Sequence, residues 1–418
     1  MHIQTGDTLM HALTERRSAA PAREASFFHA LILLSTVICG TLAPIVIGPV
    51  LPAMQQYFAG VRGIATLVPV VVTMPNLVLG VMAPVLGALS DRIGRKRVLV
   101  LSLLFYAIAG TAPLYLNSIY TIIGSRALVG AAEAAVMTLS TSLIGDYFSG
   151  ARRDRYASLQ VTIASTSAFI FNLMGGFLGV YGWRAPFAAY ALPLVLAPLV
   201  QIFLWDVRSR ADVLAVQGSV PVDEPKFRPS LLTVICLVAF GVGFVFMVVP
   251  IHLSFMLVQL GMHSTVQIGM AYALNSLGII AGTIVFGLWL GPRLPVTQQF
   301  ALGSVVLGAG FICMGAAHDP WMLTLGGAVN GLGCGVVLPA VVSWGLRSLP
   351  LARRGFGTGA FTTAQFVGYF CNPLVIMPMV AHWGSRFIVV EMCGTMVIVL
   401  ALLAWVYTFL GARHFKLS

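Results

Sequence analysis

Charged residues are scarce in this chain. They account for 9% of its 418 residues, whereas hydrophobic residues account for 58%, and the mean hydropathy is +0.93. A soluble domain carries about a quarter charged residues, so this chain has too few charges to cover a surface that faces water. Most of its surface must therefore face lipid, which predicts a multi-pass membrane protein.

Paired cysteines and nucleotide-binding loops are also absent from the sequence. The six cysteines lie singly inside apolar runs, which argues against disulfides and against a thiolate metal site. No GxxxxGK[ST] loop occurs, which excludes an ATP-driven pump built on that loop. A membrane-embedded enzyme is the alternative from another class, but it would need clustered His, Asp and Glu residues that the sequence lacks. We therefore expect no enzymatic activity, no metal and no cofactor.

Long apolar runs dominate what is present. A helix needs about 20 mainly apolar residues to cross a bilayer, and twelve runs meet that length. The predicted fold class is therefore an all-α membrane protein with twelve transmembrane helices. The predicted spans are 28–51, 64–87, 98–116, 119–143, 157–181, 185–205, 230–258, 266–289, 298–316, 320–345, 357–381 and 387–410.

The twelve spans divide into two groups of six. The connection between the sixth and seventh spans is charged and rich in turn residues, which is typical of a linker. We therefore predict an N-terminal tail at 1–27, a six-helix bundle at 28–205, a cytoplasmic linker at 206–229, a second six-helix bundle at 230–411 and a C-terminal tail at 412–418.

The two halves also resemble each other in sequence. Gly87 and Gly287 are 200 positions apart, and Gly130 and Gly331 are 201 positions apart. The Ala-Arg-Arg triplet at 151–153 recurs 201 positions later. Three matches at nearly one offset predict two pseudo-symmetric repeats. In transporters built from such repeats, the substrate site lies at the repeat interface near the middle of the bilayer.

The net charge of +11 comes from basic residues in the loops. With the predicted spans, 20 of the 24 Lys and Arg residues lie on the side of the two termini and the linker. The other side holds only Arg62, Arg126, Arg184 and Arg386. The positive-inside rule then makes both termini cytoplasmic. Because these basic residues serve as topology signals, we expect no nucleic acid as a partner. The expected surroundings are a lipid bilayer, and we expect the protein to be a monomer.

The strongest local motif follows the second span. It reads Gly87-Ala88-Leu89-Ser90-Asp91-Arg92-Ile93-Gly94-Arg95-Lys96-Arg97. This segment resembles the GxxxDRxGR loop motif of the major facilitator superfamily, and the twelve-span layout extends the resemblance over nearly the whole chain. The resemblance implies a secondary transporter that works by alternating access. Gly182-Trp183-Arg184 after the fifth span also resembles a segment that is common in bacterial exporters of this superfamily. This likeness implies the cytoplasmic (inner) membrane of a bacterium.

In that superfamily the motif latches the two halves together on the cytoplasmic side. The resemblance assigns this latch to Gly87, Asp91, Arg92, Gly94 and Arg95, with Asp146 at the end of the fourth span as a further carboxylate. Gly87 would let its helix approach a neighbour closely. Asp91 would face a helix N-terminus, for which the start of the eleventh span near Gly355 and Gly359 is the candidate.

Ionisable residues inside the spans are few, and each is costly there. Arg126 and Gly130 in the fourth span match the RxxxG element of the superfamily. Glu133 lies seven residues after Arg126, on the same helix face. It is the one carboxylate that we place near the middle of a span, so we assign proton coupling to Glu133 and Arg126. A static ion pair or a polar helix contact is the alternative for both.

Seven further polar residues inside the spans are candidates for a substrate cavity. Taken singly, each is more simply explained as a hydrogen-bonding contact between helices, and the histidine as a satisfied residue at the mouth. The seven candidates are Asn76, Asn172, His252, Asn275, Asn330, Gln365 and Tyr369.

The fifth span departs from the pattern of drug:proton antiporters in the superfamily, which usually carry GxxxGPxxGG there. Aligned on Gly175 and Gly176, this chain has Ser167, Phe171 and Asn172 at the three earlier positions. The low charge of the spans favours an amphiphilic or weakly cationic organic substrate. We expect proton-coupled export of a drug-like or metabolite-like small molecule by antiport. The alternative is a dedicated transporter of a siderophore, amino acid or sugar, including an importer.

Overall fold

The computed structural model describes residues 25–206 and 227–414. Within these ranges the regular structure is helical, and 12 helices are long and apolar enough to cross a membrane. The predicted all-α, twelve-helix fold is therefore confirmed. The predicted tails and the linker lie mostly outside the described residues. The helices are α1 Phe27–Tyr57, α2 Ile64–Ile93, α3 Arg95–Leu114, α4 Ile119–Tyr147, α5 Gly150–Leu178, α6 Ala185–Phe203, α7 Pro229–Gln259, α8 Thr265–Arg293, α9 Val296–Gly315, α10 Pro320–Ser348, α11 Leu351–Trp383 and α12 Arg386–His414.

An even number of spans returns the chain to the side on which it began. The two ends of the described chain therefore lie on one side of the membrane, which we call the terminal face. The turns α2–α3, α4–α5, α8–α9 and α10–α11 lie on the terminal face as well. The turns α5–α6, α7–α8 and α11–α12 lie on the other side, which we call the opposite face.

The turn between α2 and α3 is shorter than the sequence predicted. The second span was expected to end at 87, but α2 continues to Ile93 because the residues after Gly87 include no helix breaker. The chain then reverses at Gly94, whose φ of 106° is a conformation that favours glycine. Most of the motif at 87–97 is consequently helical rather than a loop.

Helices α1 and α7 are interrupted at matching places in the two halves. Helix α1 passes through a 3₁₀ turn at Gly48–Val50, and α7 is interrupted at Met247. Pro49 and Pro250 lie in or just after these breaks, and proline cannot donate a backbone hydrogen bond to the preceding turn. Beyond its break α1 continues to Tyr57, past its predicted end at 51.

Each half packs its helices in the same arrangement. In the first half α2 packs on α4 and α1 packs on α5, and in the second half α8 packs on α10 and α7 packs on α11. One large cluster of buried apolar side chains belongs mainly to α1–α6, and a second cluster belongs to α7–α12. The repeated pairing confirms the pseudo-symmetry that the matching glycines and arginines predicted.

The two halves meet along two pairs of helices. Helix α5 packs on α8 toward the opposite face, where a Cβ added to Gly176 would lie 2.9 Å from the Cα atom of Gly269. Helix α2 packs on α11, and Thr363 Oγ1 donates a hydrogen bond of 2.8 Å to the carbonyl of Gly80. Close backbone contact thus joins the first pair, and a side-chain hydrogen bond joins the second.

Candidate functional site

An ion pair joins the start of α3 to the end of α4 on the terminal face. Arg95 Nη1 lies 2.5 Å from Asp146 Oδ2, and the two side chains are only 18% and 8% exposed. Salt screens a partly buried pair of this kind less than an exposed pair. The structure therefore brings together two of the residues that the sequence assigned to the latch. Arg92 is exposed, and the Asp91 side chain lies outside the described part of the structure.

The expected close approach at Gly87 is not found. A Cβ added to Gly87 would meet a side-chain atom of α4 at an ordinary distance of 3.6 Å. Helices α2 and α4 approach closely at Gly130, where an added Cβ would lie 2.7 Å from the Cα atom of Pro75. At Gly355 and Gly359 an added Cβ would meet no described atom within 4 Å. The contact between α2 and α11 lies farther along α11, at Thr363.

Asp206 is part of this region, and the sequence reasoning missed it. Its Oδ1 accepts a hydrogen bond of 2.8 Å from the backbone N–H of Lys96, in the first turn of α3. An anion at a helix N-terminus is stabilised by the helix dipole. Beside it, Tyr147 OH donates to the carbonyl of Trp205 at 2.7 Å, and their rings stack 4.7 Å apart. The sequence feature that could have indicated this role is the position of Asp206 directly after the predicted sixth span.

Arg126 is fully buried in the first half. Its Nη2 donates to the carbonyls of Ala109 and Gly110 in α3, at 3.2 and 2.8 Å. The guanidinium also lies over the rings of Phe187 and Tyr190 in α6, 5.1 and 4.6 Å from their centres. Arg126 therefore ties α4 to α3 and α6 through carbonyl hydrogen bonds and cation–π contacts.

Glu133 is the fifteenth of the 29 residues of α4, and its side chain is 2% exposed. Although both residues are described, Glu133 forms no ion pair with Arg126, and its Oε2 atom has no hydrogen-bond partner among the described residues. The alternative of a direct ion pair is thus not found. Glu133 is instead a buried carboxylate near the middle of the membrane, and one of its oxygens accepts no hydrogen bond from the described residues.

Two of the predicted cavity residues form hydrogen bonds between helices of the second half. Asn275 Nδ2 donates to the carbonyl of Gly327 at 2.7 Å, which joins α8 to α10. Asn330 Nδ2 donates to the carbonyl of Leu307 at 3.1 Å, which joins α10 to α9. Because these buried amides satisfy carbonyls of neighbouring helices, the simpler explanation holds for them. We leave Asn275 and Asn330 out of the candidate cavity.

The side chain of His252 likewise contacts another residue of the second half. It is fully buried on α7, and its Nδ1 lies 3.0 Å from Arg386 Nη1 at the start of α12. An arginine can only donate, so Nδ1 accepts and the imidazole is neutral. Arg386 also stacks over the ring of Phe255, 4.2 Å from its centre. The sequence reasoning placed Arg386 in a loop and missed this contact. Nε2 of His252 has no hydrogen-bond partner among the described residues. Because the contact to Arg386 holds the ring within the second half, we leave His252 out of the candidate cavity.

The remaining candidates lie on α2, α5 and α11, three of the helices along which the halves meet. Asn172 Nδ2 on α5 donates to Ser276 Oγ on α8 at 3.0 Å. Gln365 Nε2 donates to Tyr369 OH at 2.9 Å on α11. Asn76 is buried on α2, and its Nδ2 lies 3.5 Å from a carbonyl of its own helix. These side chains form the polar part of the candidate site.

Aromatic rings provide the apolar part of the candidate site. The Tyr369 ring lies 5.5 Å from that of Phe246 and 5.3 Å from that of Phe366. Tyr272 on α8 donates through its hydroxyl to the carbonyl of Pro250 at 3.0 Å, close to the break in α7. The sequence named Tyr369 as a cavity residue, and the structure surrounds it with apolar rings.

Comparison of the sequence with known proteins gives one family and several transporters. The family model described as Major Facilitator Superfamily matches residues 32–314. The chain is 24% identical to the bacillibactin exporter of Bacillus subtilis over 368 residues, which cover 84% of this chain and 90% of that protein. It is 31% identical to the class C tetracycline resistance protein of Escherichia coli over 178 residues, which cover 42% of this chain and 44% of that protein.

Solved structures share the fold of the chain. The inward open xylose transporter of Escherichia coli has a TM-score of 0.74 at 15% identity, and the match covers 91% of this chain and 95% of that one. A bacterial homolog of the human lysosomal transporter Spinster, inward-facing and occupied, has a TM-score of 0.70 at 14% identity, with 92% and 96% covered. At these identities the likeness concerns the fold alone.

Proposed function

The chain belongs to the Major Facilitator Superfamily and is a membrane transporter, and we propose that it exports a small amphiphilic organic molecule in exchange for protons. The exchange rests on Glu133, whose carboxylate is buried in the middle of α4 and has an oxygen without a hydrogen-bond partner. An ionised carboxylate is costly at that depth. Binding a proton removes the cost, so a carboxylate that alternates between buried and water-facing states carries protons through the cycle.

The direction of transport rests on the relatives. The bacillibactin exporter matches over 84% of the chain, so the likeness includes both halves. A tetracycline resistance protein matches over 42%. Both names concern removal of, or resistance to, a small organic molecule. Export therefore suits the chain better than import.

The proposed substrate contacts lie at the interface between the halves, where alternating access opens and closes a site. Sites for organic molecules combine apolar walls with a few polar groups, as the aromatic rings and amides here do. A multiply anionic substrate would need several basic residues at mid-membrane, whereas Arg126 already binds carbonyls of α3. The proposed contacts are Asn76, Asn172, Gln365 and Tyr369.

We also propose that both termini are cytoplasmic, in the inner membrane of a bacterium, and that the monomer is the transporting unit. The excess of basic residues on the terminal face supports this orientation. The latch then lies on the cytoplasmic side, where the Arg95–Asp146 ion pair and Asp206 fix the α2–α3 turn. Each opening of that side would loosen or rearrange this cluster.

A second candidate is export of one dedicated metabolite of the siderophore type. The relative that matches over most of the chain is named for a single compound. The fifth helix also lacks most of the GxxxGPxxGG pattern of drug:proton antiporters, since Ser167, Phe171 and Asn172 occupy three of its positions. Under this reading the interface residues are the same, but the range of compounds is narrow.

Expression in a bacterial strain without its own drug pumps separates the two candidates. Cells that produce the protein are tested for tolerance and accumulation of ethidium, tetraphenylphosphonium and tetracycline. Drug export predicts higher tolerance and lower accumulation of at least one compound. An unchanged response to all of them contradicts drug export and favours the dedicated metabolite.

Paired variants test the role of the carboxylate in the same cells. Glu133→Gln should abolish the protection, because a neutral amide cannot take up and release a proton. The matched control is Glu391→Gln, which makes the same change at an exposed carboxylate on α12. Equal loss of protection in both variants would contradict a special role for Glu133.

A further inference from the structure

A large apolar crevice lies in the second half, between α7, α9 and α12. Its volume is about 1070 Å³, and its walls are almost entirely hydrocarbon. It is lined by residues 234–245 of α7 and 296–307 of α9, which lie toward the terminal face, and by 392–404 of α12. Residues 375–379 of α11 also line it, and they lie past the middle of that helix toward the opposite face. Its wall includes Val238, Phe300, Leu307, Trp344, Met396 and Ala401.

In the first half the described residues of the corresponding helices are in direct contact. There α6 closes on α1, where Tyr190 OH donates to the carbonyl of Ala43 at 2.7 Å and the rings of Phe28 and Phe203 meet edge-on at 5.0 Å. The wall of α12 instead carries small side chains at Ala401 and Ala404. Since the halves otherwise repeat each other, the crevice is a specific feature of the second half.

The crevice opens toward the hydrocarbon of the bilayer. An apolar space excludes water, and a protein interior is otherwise close-packed. Leu237 and Leu400 in its wall are 66% and 57% exposed on membrane-spanning helices, so the crevice opens sideways into lipid. Along α9, from Val296 to Leu307, its lining is about 17 Å long at the helical rise per residue. That length is about half of the 30 Å hydrocarbon core.

The terminal end of the crevice is positively charged. Arg228 precedes α7, Arg293 lies three residues before α9, and Arg347 lies one turn beyond Trp344 on α10. All three arginines are exposed. The acidic residues in 227–414 are Asp319 and Glu391, and both lie toward the opposite face. Within 227–414 this end is therefore positively charged, which would attract an anion of the membrane surface.

We propose that the crevice binds an anionic phospholipid of the leaflet on the terminal face, with an acyl chain between α7, α9 and α12 and its phosphate at Arg228, Arg293 and Arg347. The acyl chain fills the space that side chains of α6 fill in the first half. The arginines select an anionic head group over a zwitterionic one. This site is separate from the interface between the halves, so it holds whether or not Glu133 couples transport to protons.

Native mass spectrometry of the purified full-length protein tests the proposal. The probes are phosphatidylglycerol and phosphatidylcholine with identical acyl chains, added at equal concentrations. The wild-type protein should retain one phosphatidylglycerol in preference to phosphatidylcholine. Arg293→Gln with Arg347→Gln should lower that preference by about fivefold for each arginine removed. Equal retention of the two lipids by the wild-type protein would overturn the proposal.

A second pair of variants tests the crevice itself. Ala401→Phe with Ala404→Phe fills the space and should remove the retained lipid of either head group. The matched control for the arginines is Arg152→Gln with Arg155→Gln, two exposed residues on the terminal face of the first half, which should keep the wild-type preference. Retention of lipid by the filled variant, or loss of preference in the control, would contradict the site.

Photo-crosslinking tests the site in the wild-type protein, so it does not depend on whether the Ala401→Phe, Ala404→Phe variant folds. Phosphatidylglycerol with a photoreactive acyl chain is added to the wild-type protein, and the labelled peptides are identified. The proposal expects crosslinks within 234–245 of α7 and 392–404 of α12. Crosslinks confined to other helices would overturn it.

Discussion

At the scale of single residues, Arg126 and Glu133 show how one helix uses two buried charges differently. They are seven residues apart on α4, so their Cα atoms are about 10 Å apart along the helix. That spacing lets Arg126 turn toward the carbonyls of Ala109 and Gly110 and away from the carboxylate. The sequence predicted the shared face, but the carbonyl partners depend on packing against α3 and α6, which no pattern in α4 reveals.

Arg126→Ala should destabilise the protein by about 2–4 kcal/mol, since it removes charged hydrogen bonds and cation–π contacts and leaves a cavity. Arg126→Lys should cost less, because it keeps the charge near the two carbonyls but loses the planar stacking on Phe187 and Tyr190. Thermal unfolding of the purified variants measures both. An Arg126→Ala variant as stable as the wild type would remove the proposed structural role.

The amides illustrate which residue roles a sequence can predict. Asn172 and Asn275 look alike in sequence, as single amides within apolar helices. In the structure Asn172 reaches across the two halves to Ser276, whereas Asn275 bonds a carbonyl within its own half. The difference depends on which way each helix is rotated. That rotation is set by close packing between helices and not by the local pattern.

At the scale of helices, the α2–α3 turn is held from two directions. Arg95 pairs with Asp146 at the end of α4, and Asp206 accepts from the backbone of α3. The motif predicted a charged cluster at this turn and named Asp146. It did not predict Asp206, because the contact depends on where α6 ends relative to α3.

Asp146→Asn should lower transport severalfold while the protein still inserts and folds. The change removes the charge attraction to Arg95, and such an ion pair is worth about 0.2–1 kcal/mol, enough to shift a balanced two-state equilibrium. Transport assays, together with gel filtration of the purified variant, measure the two effects. The control is Arg97→Gln, an exposed basic residue of the same segment that is not assigned to the latch. Wild-type transport by Asp146→Asn would argue against the latch.

The α5–α8 contact depends on backbone proximity. Gly269→Ala adds a Cβ that would lie 2.8 Å from the Cα atom of Gly176, so it should force the halves apart at the opposite face, at a cost of about 1–3 kcal/mol. Transport and thermal stability should both fall. Gly241→Ala is the control, because an added Cβ there meets no described atom within 4 Å. Equal effects of the two substitutions would contradict the importance of this contact.

Helix limits were less predictable than the helices themselves. All twelve apolar runs became spans, since only a helix can satisfy its backbone within lipid. The ends of α2 and α11 were missed, because Ile93 and Leu351 lie in polar, helix-compatible segments that extend beyond the apolar run. Hydropathy marks the part of a helix that contacts lipid, whereas the helix continues until a glycine or proline ends it.

At the scale of the whole molecule, the distribution of basic residues predicts how the protein lies in the membrane. We expect position 217 in the linker to be cytoplasmic and position 318 between α9 and α10 to be on the other side. Single cysteines at these positions, in a cysteine-free background, are tested with an impermeant maleimide on intact cells. Labelling of 318 and not of 217 is the expected result. The reverse pattern would invert the proposed orientation.

The two halves repeat each other in topology but differ in their use of charge. The ion pair Arg95–Asp146, Arg126 and Glu133 all belong to the first half. The second half contributes apolar rings, amides and the crevice. The crevice was not predictable from the sequence, because it depends on a gap between helices that are far apart in the chain.

Proton-coupled exchange through Glu133 is the central claim, and uptake into proteoliposomes tests it most directly. A compound exported in the strain assay is added outside liposomes whose interior is acidified. The account predicts that wild-type protein concentrates the compound inside and that a protonophore abolishes the gradient. The Glu133→Gln variant should only equilibrate the compound across the membrane. Accumulation by Glu133→Gln at the wild-type level would contradict the claim.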